Sequence, residues 1–416
     1  VDQVRPDVTT STKRGTTMHQ TARRRWLGLA SVVTIGAMAL AACSSSSTST
    51  ESSAAPAAST AASASAAPAE ECTTPTAVSL QLQWFAQAQF AGYYAAKDKG
   101  FYADQCLDVT ILEGGVDIVP QTQLAQGNTD FAIAWVPKAL ASREQGAGIV
   151  NVAQVFQRSG TLQVSWADSG IATPADFKGK KIGNWGFGNE FEVFAAVTQA
   201  GLDPASDVEL VAQQFDMLGL LNREIDAAEA MTYNEYAQLL EAKNPETGQL
   251  YTPEDFNVIS YEEVGVGMLQ DAIWASEERL ADPEYQAITQ KFVTASLAGW
   301  IYCRDNPEEC ADIVTANGSK LGKSHQLWMM NEVNKLIWPS PNGIGVMDPA
   351  AWDRTVQISL STKNLEGSTV ITAAPADGSY TPDYAVAADA ELTAAGLNTT
   401  GEDYAPITVT LMEGGN

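Results

Sequence analysis

From residue 78 to residue 242, short apolar or alternating segments regularly give way to helical patterns. Each apolar segment has the length of one strand, and a glycine ends the first helical pattern at Gly100. Such a βα rhythm predicts an α/β fold with parallel sheets, whose binding sites lie at the carboxyl ends of strands. Strands are predicted at 78–84, 107–113, 131–135, 150–157, 181–185, 208–214 and 225–231, and helices at 87–99, 118–126, 136–145, 189–200, 218–223 and 234–242.

Beyond residue 283 the hydrophobic pattern becomes mostly helical. From residue 368 the chain is richer in Ala, Thr, Gly and Asp, and we interpret 368–416 as an irregular acidic extension. The helices predicted between these points cover 283–302, 307–316, 325–337 and 349–362.

Residues 1–43 have the organisation of a secretory signal. Three arginines at 23–25 precede an apolar run, 26–42, that is too short to span a bilayer comfortably. The run ends in Leu-Ala-Ala-Cys, which resembles the bacterial lipobox and implies that Cys43 is lipidated and anchors the mature chain to the outer face of the cell membrane. General secretory and twin-arginine export both remain open, and Met18 is an alternative start.

Composition separates a tether from a folded body. Residues 44–75 are mainly Ser, Ala, Thr and Pro, which bury too little apolar surface to offset the entropy of ordering, so we predict a flexible tether. The whole chain has 50 acidic and 24 basic residues and a formal net charge of −26. This balance argues against nucleic acid as a partner, because binding to it depends on basic patches.

Four cysteines follow the tether. Cys303 and Cys310 border a short loop that a disulfide can close, which leaves Cys72 to pair with Cys106. An extracytoplasmic compartment favours disulfides, although free buried thiols remain the alternative. A zinc site is disfavoured because the chain has two histidines and no Cys-x-x-Cys spacing.

Four segments carry a family resemblance. They are Gln-Trp…Gly-Tyr…Ala-Lys-Asp-Lys-Gly-Phe-Tyr within 83–102, Gly-Asn-Thr-Asp-Phe-Ala-Ile at 127–133, Phe-Lys-Gly-Lys-Lys-Ile-Gly…Trp-Gly-Phe-Gly-Asn-Glu-Phe within 177–191, and Ile-Asp-Ala-Ala-Glu-Ala-Met-Thr-Tyr-Asn-Glu at 225–235. Together they resemble the thiamine-pyrimidine-precursor-binding, NMT1/THI5-like family over roughly 77–350. The resemblance implies a two-lobed periplasmic-binding-protein clamshell of type II with a two-stranded hinge.

The resemblance also implies a domain plan and a function. The first lobe is expected at 76–165 and 268–367 and the second at 166–267, with crossings near 164–166 and 266–269. Family members bind a small heterocycle and deliver it to the permease and ATPase of an ABC importer. We therefore expect a monomeric, lipid-anchored binding protein for a thiamine pyrimidine precursor such as formylaminopyrimidine, with no catalytic residue, cofactor or metal.

Candidate ligand-binding residues cluster at or just beyond predicted strand ends. Aromatic faces stack on planar rings, amides offer donors and acceptors, and carboxylates accept from amines. Core packing explains any single aromatic equally well, and first-turn acids also favour the helix dipole. The candidates are Trp84, Gln87, Gln89, Phe90, Trp135, Trp185, Gly186, Phe187, Gly188, Asn189, Glu190, Tyr233, Asn234 and Glu235.

Three alternatives remain open. Riboflavin or another vitamin-like aromatic is the nearest, since the aromatic rim suits a larger ring. An alkanesulfonate, taurine or nitrate ligand is a second, because the glycine turn at 186–189 can expose N–H groups to an anion; Glu190 and Glu192 beside it disfavour that. The third is a thiamine-pyrimidine synthase, whose pattern needs a lysine and a histidine where this chain has Ala134 and Lys138.

Overall fold

The structure is a computed structural model and describes residues 72–186 and 188–415. The predicted secretory signal, the lipidated Cys43 and most of the predicted tether fall outside these ranges, as does Phe187. Within the described ranges, every helix is too short or too polar to cross a membrane.

Ten strands of the described chain form two sheets, one in each of two lobes. Each sheet has five strands, in which parallel strands are joined by one strand that runs antiparallel to its neighbours. The mixed α/β clamshell predicted from the sequence is therefore confirmed. The strands are β1 (Thr76–Gln81), β2 (Leu107–Leu112), β3 (Phe131–Trp135), β4 (Ile149–Gln154), β5 (Thr161–Trp166), β6 (Lys181–Asn184), β7 (Glu209–Ala212), β8 (Ala227–Met231), β9 (Phe256–Ser260) and β10 (Asp271–Ser276).

The first sheet has the order β2-β1-β3-β10-β4 and the second the order β7-β6-β8-β5-β9. Helices cover the faces of both sheets, so the central strands are buried along nearly their whole length, as in β3 and β8. The helices are α1 (Ala91–Asp98), α2 (Phe101–Asp104), α3 (Pro120–Ala125), α4 (Val136–Glu144), α5 (Phe191–Gln199), α6 (Leu218–Leu221), α7 (Glu235–Leu240), α8 (Pro283–Asp305), α9 (Pro307–Ala316), α10 (Lys323–Ile337), α11 (Pro349–Ser361) and α12 (Asp383–Ala394).

Two segments, 155–160 and 261–270, connect the sheets. Segment 261–270 contains the crossing predicted at 266–269. The other crossing was predicted near 164–166, and that prediction was wrong. Strand β5 pairs with β8 and β9 over Thr161–Trp166 and so belongs entirely to the second lobe. Every residue of β5 is buried, and buried backbone groups need the ladder partners that a sheet interior supplies and a hinge does not.

Within the predicted irregular extension after residue 368, residues 383–394 instead form the helix α12. Helix α12 packs against α8 and buries Ala385, Ala388 and Leu392. Alanine is the strongest helix former and permits close helix approach, so the Ala-rich composition that suggested irregularity in fact suits a helix.

The last residues cross from the first lobe to the second. The Ile407 amide donates to Asn331 of α10 in the first lobe, and the Gly414 amide donates to the Glu241 carbonyl in the second. The C-terminal segment therefore ties the two lobes together. Both expected disulfides are present, Cys72–Cys106 and Cys303–Cys310.

Candidate functional site

A cavity of about 580 Å³ lies between the two lobes. The first lobe contributes the segments that follow β1 and β3, together with the loop at 115–121. The second lobe contributes the segments that follow β6, β7 and β8. These are the carboxyl ends of parallel strands, the position that the βα rhythm predicted for a site.

The structure brings most of the candidate residues to this cavity. Ten line it: Trp84, Gln87, Gln89, Trp135, Trp185, Gly188, Asn189, Tyr233, Asn234 and Glu235.

Three described candidates do not line the cavity. Phe90 lies in the hydrophobic core of the first lobe with no exposed surface, because a short 3-10 turn at Ala88–Phe90 directs its ring inward. Gly186 and Glu190 flank the lining residues of the glycine turn without joining them. The placement of Phe90 corrects its assignment as a wall residue.

Three aromatic rings span the mouth of the cavity. The Trp84 ring of the first lobe lies 5.0 Å, centroid to centroid, from the Phe215 ring of the second lobe. Phe215 stacks in turn on Trp185, with centroids 6.1 Å apart and ring planes 21° apart. Phe215 follows β7 and was missed, although the rule that found Trp185 after β6 applies to it equally.

On the first-lobe side, a buried carboxylate holds the polar side chains that form the floor of the cavity. Asp271 Oδ1 accepts hydrogen bonds from Gln83 Nε2 at 2.6 Å and from Trp135 Nε1 at 2.8 Å, and Gln89 Nε2 donates to Oδ2 at 3.1 Å. The register of β3 and β10 sets Trp135 directly opposite Asp271, which explains this contact. Burial raises the pKa of Asp271 to about 7, against the opposing effect of the three donors.

The hydrogen-bonded cluster around Asp271 was not predicted from the sequence, because β10 was not predicted. The contact between Gln83 and Asp271 joins residues 188 positions apart and depends on strand register. The one local signal was a carboxylate at the head of the apolar segment that begins at residue 271.

The second-lobe side is held by α7 and, across the lobes, by α10. Glu235 Oε2 accepts from the Met231 amide, and Oε1 accepts from Asn234 Nδ2 at 2.8 Å. Asn234 Oδ1 lies 3.0 Å from Nε2 of His325, whose Nδ1 lies 2.8 Å from Glu241. Burial raises the pKa of Glu235 to about 7.

At the glycine turn, the described N–H groups of residues 185, 186, 188 and 189 donate within the protein. The Trp185 amide donates to Glu229, the Gly186 amide to the Asn184 side chain and the Gly188 amide to Glu190. The Asn189 amide donates to the Gly186 carbonyl. This arrangement corrects the expectation that the turn exposes these groups to an anion, because such a site needs free donors.

Glu192 also has a different place from the one expected. Its carboxylate accepts from the Met268 amide at the second connection between the sheets rather than facing the ligand space. Glu192 is close to the glycine turn in sequence. Because it lies in the first turn of α5, its position around the helix axis decides which way its side chain points.

A family model and two characterised relatives relate the chain to proteins that bind small heterocycles. The family model described as NMT1/THI5 like matches residues 87–310. The chain is 22% identical over 298 residues to a formylaminopyrimidine-binding protein from Halalkalibacterium halodurans, covering 68% of this chain and 87% of that protein. It is 26% identical to riboflavin-binding protein RibY from Chloroflexus aurantiacus, covering 67% and 78% respectively.

A shorter match, 25% identical, joins 31% of this chain to 41% of a 4-amino-5-hydroxymethyl-2-methylpyrimidine phosphate synthase from Legionella pneumophila. Among solved structures, a putative sulfonate-binding protein SsuA from Methylobacillus flagellatus superposes with a TM-score of 0.55 at 16% identity, covering 81% of this chain and 99% of that one. That similarity supports the fold alone. The family match spans more than half of the chain, and the protein belongs to the NMT1/THI5-like family.

Proposed function

We propose that this protein is the extracytoplasmic solute-binding component of an ABC importer and that it binds a planar nitrogen heterocycle between its lobes. A thiamine pyrimidine precursor such as formylaminopyrimidine is the proposed ligand, handed on to a permease and its ATPase. Lipidation at Cys43 would hold the protein at the membrane. The family, the clamshell and the relative that binds formylaminopyrimidine support this proposal.

A row of three aromatic rings between the lobes carries the proposal: Trp84 is tilted by 54° to Phe215, and Phe215 and Trp185 form an aromatic stack. Trp84 and Phe215 meet from opposite lobes, and Trp185 extends the stack into the cavity. Flat π-faces bind planar rings and exclude water. The polar floor at Asp271 then supplies oriented amides for the edge of such a ring.

Riboflavin is the second candidate because of the size of the cavity. A volume of about 580 Å³ lies in the range that accommodates drug-sized ligands and leaves room for a fused ring system. The similarity to riboflavin-binding protein RibY, 26% identical over 67% of this chain, also supports this candidate. A yellow colour in the purified protein would favour this ligand.

Isothermal titration of the mature protein with formylaminopyrimidine, riboflavin and taurine tests the proposal. We expect saturable binding of the pyrimidine and weak or no binding of taurine. Tight binding of taurine with no heat from either heterocycle would overturn it. An absorbance band of a pyridoxal aldimine that Lys138→Met abolishes would favour the synthase instead.

Two variants connect any binding to the aromatic stack. Trp185→Ala and Phe215→Ala should each weaken heterocycle binding by about 10- to 100-fold, since one stacked ring is worth about 1–3 kcal/mol. Phe85→Ala is the matched control, because that ring is 41% exposed and packs against Trp84 outside the cavity lining. If Trp185→Ala and Phe215→Ala bind the heterocycle as tightly as Phe85→Ala does, the stacking model is wrong.

A further inference from the structure

The polar side chains on the first-lobe side of the cavity use their N–H donors on one another. Gln83, Gln89 and Trp135 donate to Asp271, and Gln87 Nε2 donates to Gln89 Oε1 at 2.6 Å. Gln83 and Gln87 each spend one of two N–H donors in these contacts and keep an amide oxygen and a second N–H for a ligand. Their oxygens can accept from N–H groups on the edge of a ring.

Lys138 supplies the opposite polarity. Its side chain lines the cavity, and its Nζ lies 5.0 Å from the centroid of the Trp135 ring. Within the part of the chain that the structure describes, it forms no salt bridge with a carboxylate. Lys138 is also in the first turn of α4, where the helix dipole disfavours a cation.

Burial lowers the pKa of Lys138. The fold therefore holds a cation at a place where both desolvation and the helix dipole act against it. A lysine at such a place lowers the stability of the fold. An interaction with the molecule that fills the cavity would explain why Lys138 is there.

Three carboxylates act on the Lys138 charge, Glu229 and Glu190 of the second lobe and Asp271 of the first, but within the described chain none forms a salt bridge with its Nζ. Glu190 accepts from the Gly188 amide at 2.8 Å, and Glu229 accepts from the Trp185 amide at 2.8 Å. A Cβ added at Gly188 would lie 3.7 Å from Lys138 Cγ, so the lysine stem packs against the glycine turn. Among the residues that the structure describes, Glu229 Oε1 has no hydrogen-bond partner, so the Lys138 ammonium group lies near carboxylates without a direct ion pair and can also donate to a ligand in the cavity.

We propose that Lys138 is a specificity-determining residue that selects heterocycles with a carbonyl or other electron-rich acceptor at the end of the ring facing the glycine turn. This inference rests on the proposed function, since it assumes that a ring fills the cavity. The amides of Gln83 and Gln87 can donate or accept, whereas the Lys138 ammonium group only donates, so the acceptor at Lys138 orients the ligand. An ammonium group at the same end would be repelled.

A pair of probes tests this selection. Formylaminopyrimidine carries a formamide carbonyl, whereas the deformylated compound carries a primary amine that is protonated at neutral pH. We expect wild-type protein to prefer the formylated probe. Lys138→Met should reduce that preference by about 10- to 100-fold, the value of one hydrogen bond to a charged group, and Lys138→Arg should retain most of it.

Lys320→Met is the matched control. Lys320 lies 5.1 Å over the Phe85 ring and outside the cavity lining, so the variant removes the same charge without touching the site. Thermal unfolding should show that Lys138→Met is folded, since methionine keeps the apolar stem that packs against the glycine turn.

The outcomes separate the two proposals. If Lys138→Met weakens both probes by the same factor, or leaves their ratio unchanged, the lysine does not select the ligand and the inference is wrong while the proposed function stands. If wild-type protein binds neither probe nor riboflavin, the proposed function fails and this inference fails with it.

Discussion

At the scale of single residues, Asp271 has the strongest influence on the geometry of the cavity. Its two carboxylate oxygens fix Gln83, Gln89 and the Trp135 indole together, so three side chains from the segment after β1 and the end of β3 depend on one group. An ionised carboxylate only accepts hydrogen bonds, and this sets which end of each amide faces the ligand. The polarity of the floor therefore follows from Asp271.

Asp271→Asn should separate binding from stability. An asparagine retains the shape but directs an N–H group at one of the three donors, so Gln83 or Gln89 must rotate and heterocycle affinity should fall about tenfold, as expected for one lost hydrogen bond. At pH 8 the free energy of unfolding should be unchanged or higher, because an ionised buried carboxylate has been removed. Titration calorimetry and urea unfolding measure the two quantities.

Asp216→Asn is the control for that variant. Asp216 lies after β7 near the cavity mouth and accepts from the Leu218 amide, a contact that an asparagine oxygen can keep. Its affinity and stability should match wild type. If Asp271→Asn loses stability while binding normally, the carboxylate supports the fold and does not orient the site.

At the scale of elements, α10 connects the two lobes through His325. Its ring is buried, and Nδ1 and Nε2 each face an oxygen, of Glu241 and Asn234 respectively. Asn234 Nδ2 already donates to Glu235, so its oxygen is the acceptor toward Nε2. Through these two contacts, a helix of the first lobe positions Asn234 and, through Asn234, Glu235, which line the cavity from the second.

His325→Ala should weaken both folding and binding. Each buried partner left without its hydrogen bond costs about 1–3 kcal/mol, and Asn234 and Glu235 lose their fixed positions in the cavity. We expect a lower free energy of unfolding in urea and a clear loss of heterocycle affinity. Lys323→Ala, an exposed change in the same helix, should alter neither; a His325→Ala variant with normal affinity would limit this contact to a structural role.

Elements with a strong local pattern could be predicted from the sequence, and elements defined by distant pairing could not. Alternating and apolar runs identified seven strands, including β3 and β8. Strands β5, β9 and β10 were missed because they pair antiparallel, outside the βα rhythm, and their pairing joins distant parts of the chain. Since Asp271 begins β10, the floor of the cavity was missed with it.

At the scale of the whole molecule, buried acids set the expected response to pH. Burial raises the pKa of Glu192, Glu235 and Asp271 to about 7 and raises that of Glu229 well above its ordinary value. In the unfolded chain such groups titrate near about 4. Their contribution to stability is therefore complete below about pH 4 and is lost as the pH rises through about 7.

Exposed acids act in a lower pH window. Hydrogen bonds from Arg223 to Asp168 and from Thr372 to Glu144 lower the pKa of these carboxyls. Such groups stabilise the fold above the unfolded pKa of about 4 and lose that contribution only as the pH falls below it. The two sets together predict maximal stability near about pH 5 rather than at neutral pH.

Thermal unfolding between pH 4 and pH 8 tests this expectation. Measurement in about 1 M salt, where the Debye length is about 3 Å, suppresses the repulsion arising from the net charge of −26 and isolates the buried groups. The midpoint should fall steadily from pH 5 to pH 8. Glu192→Gln should flatten this slope, because an amide can still accept from Met268 without becoming charged; a midpoint that rises toward pH 8 in wild type would show that these carboxylates are ionised in the folded protein at little cost.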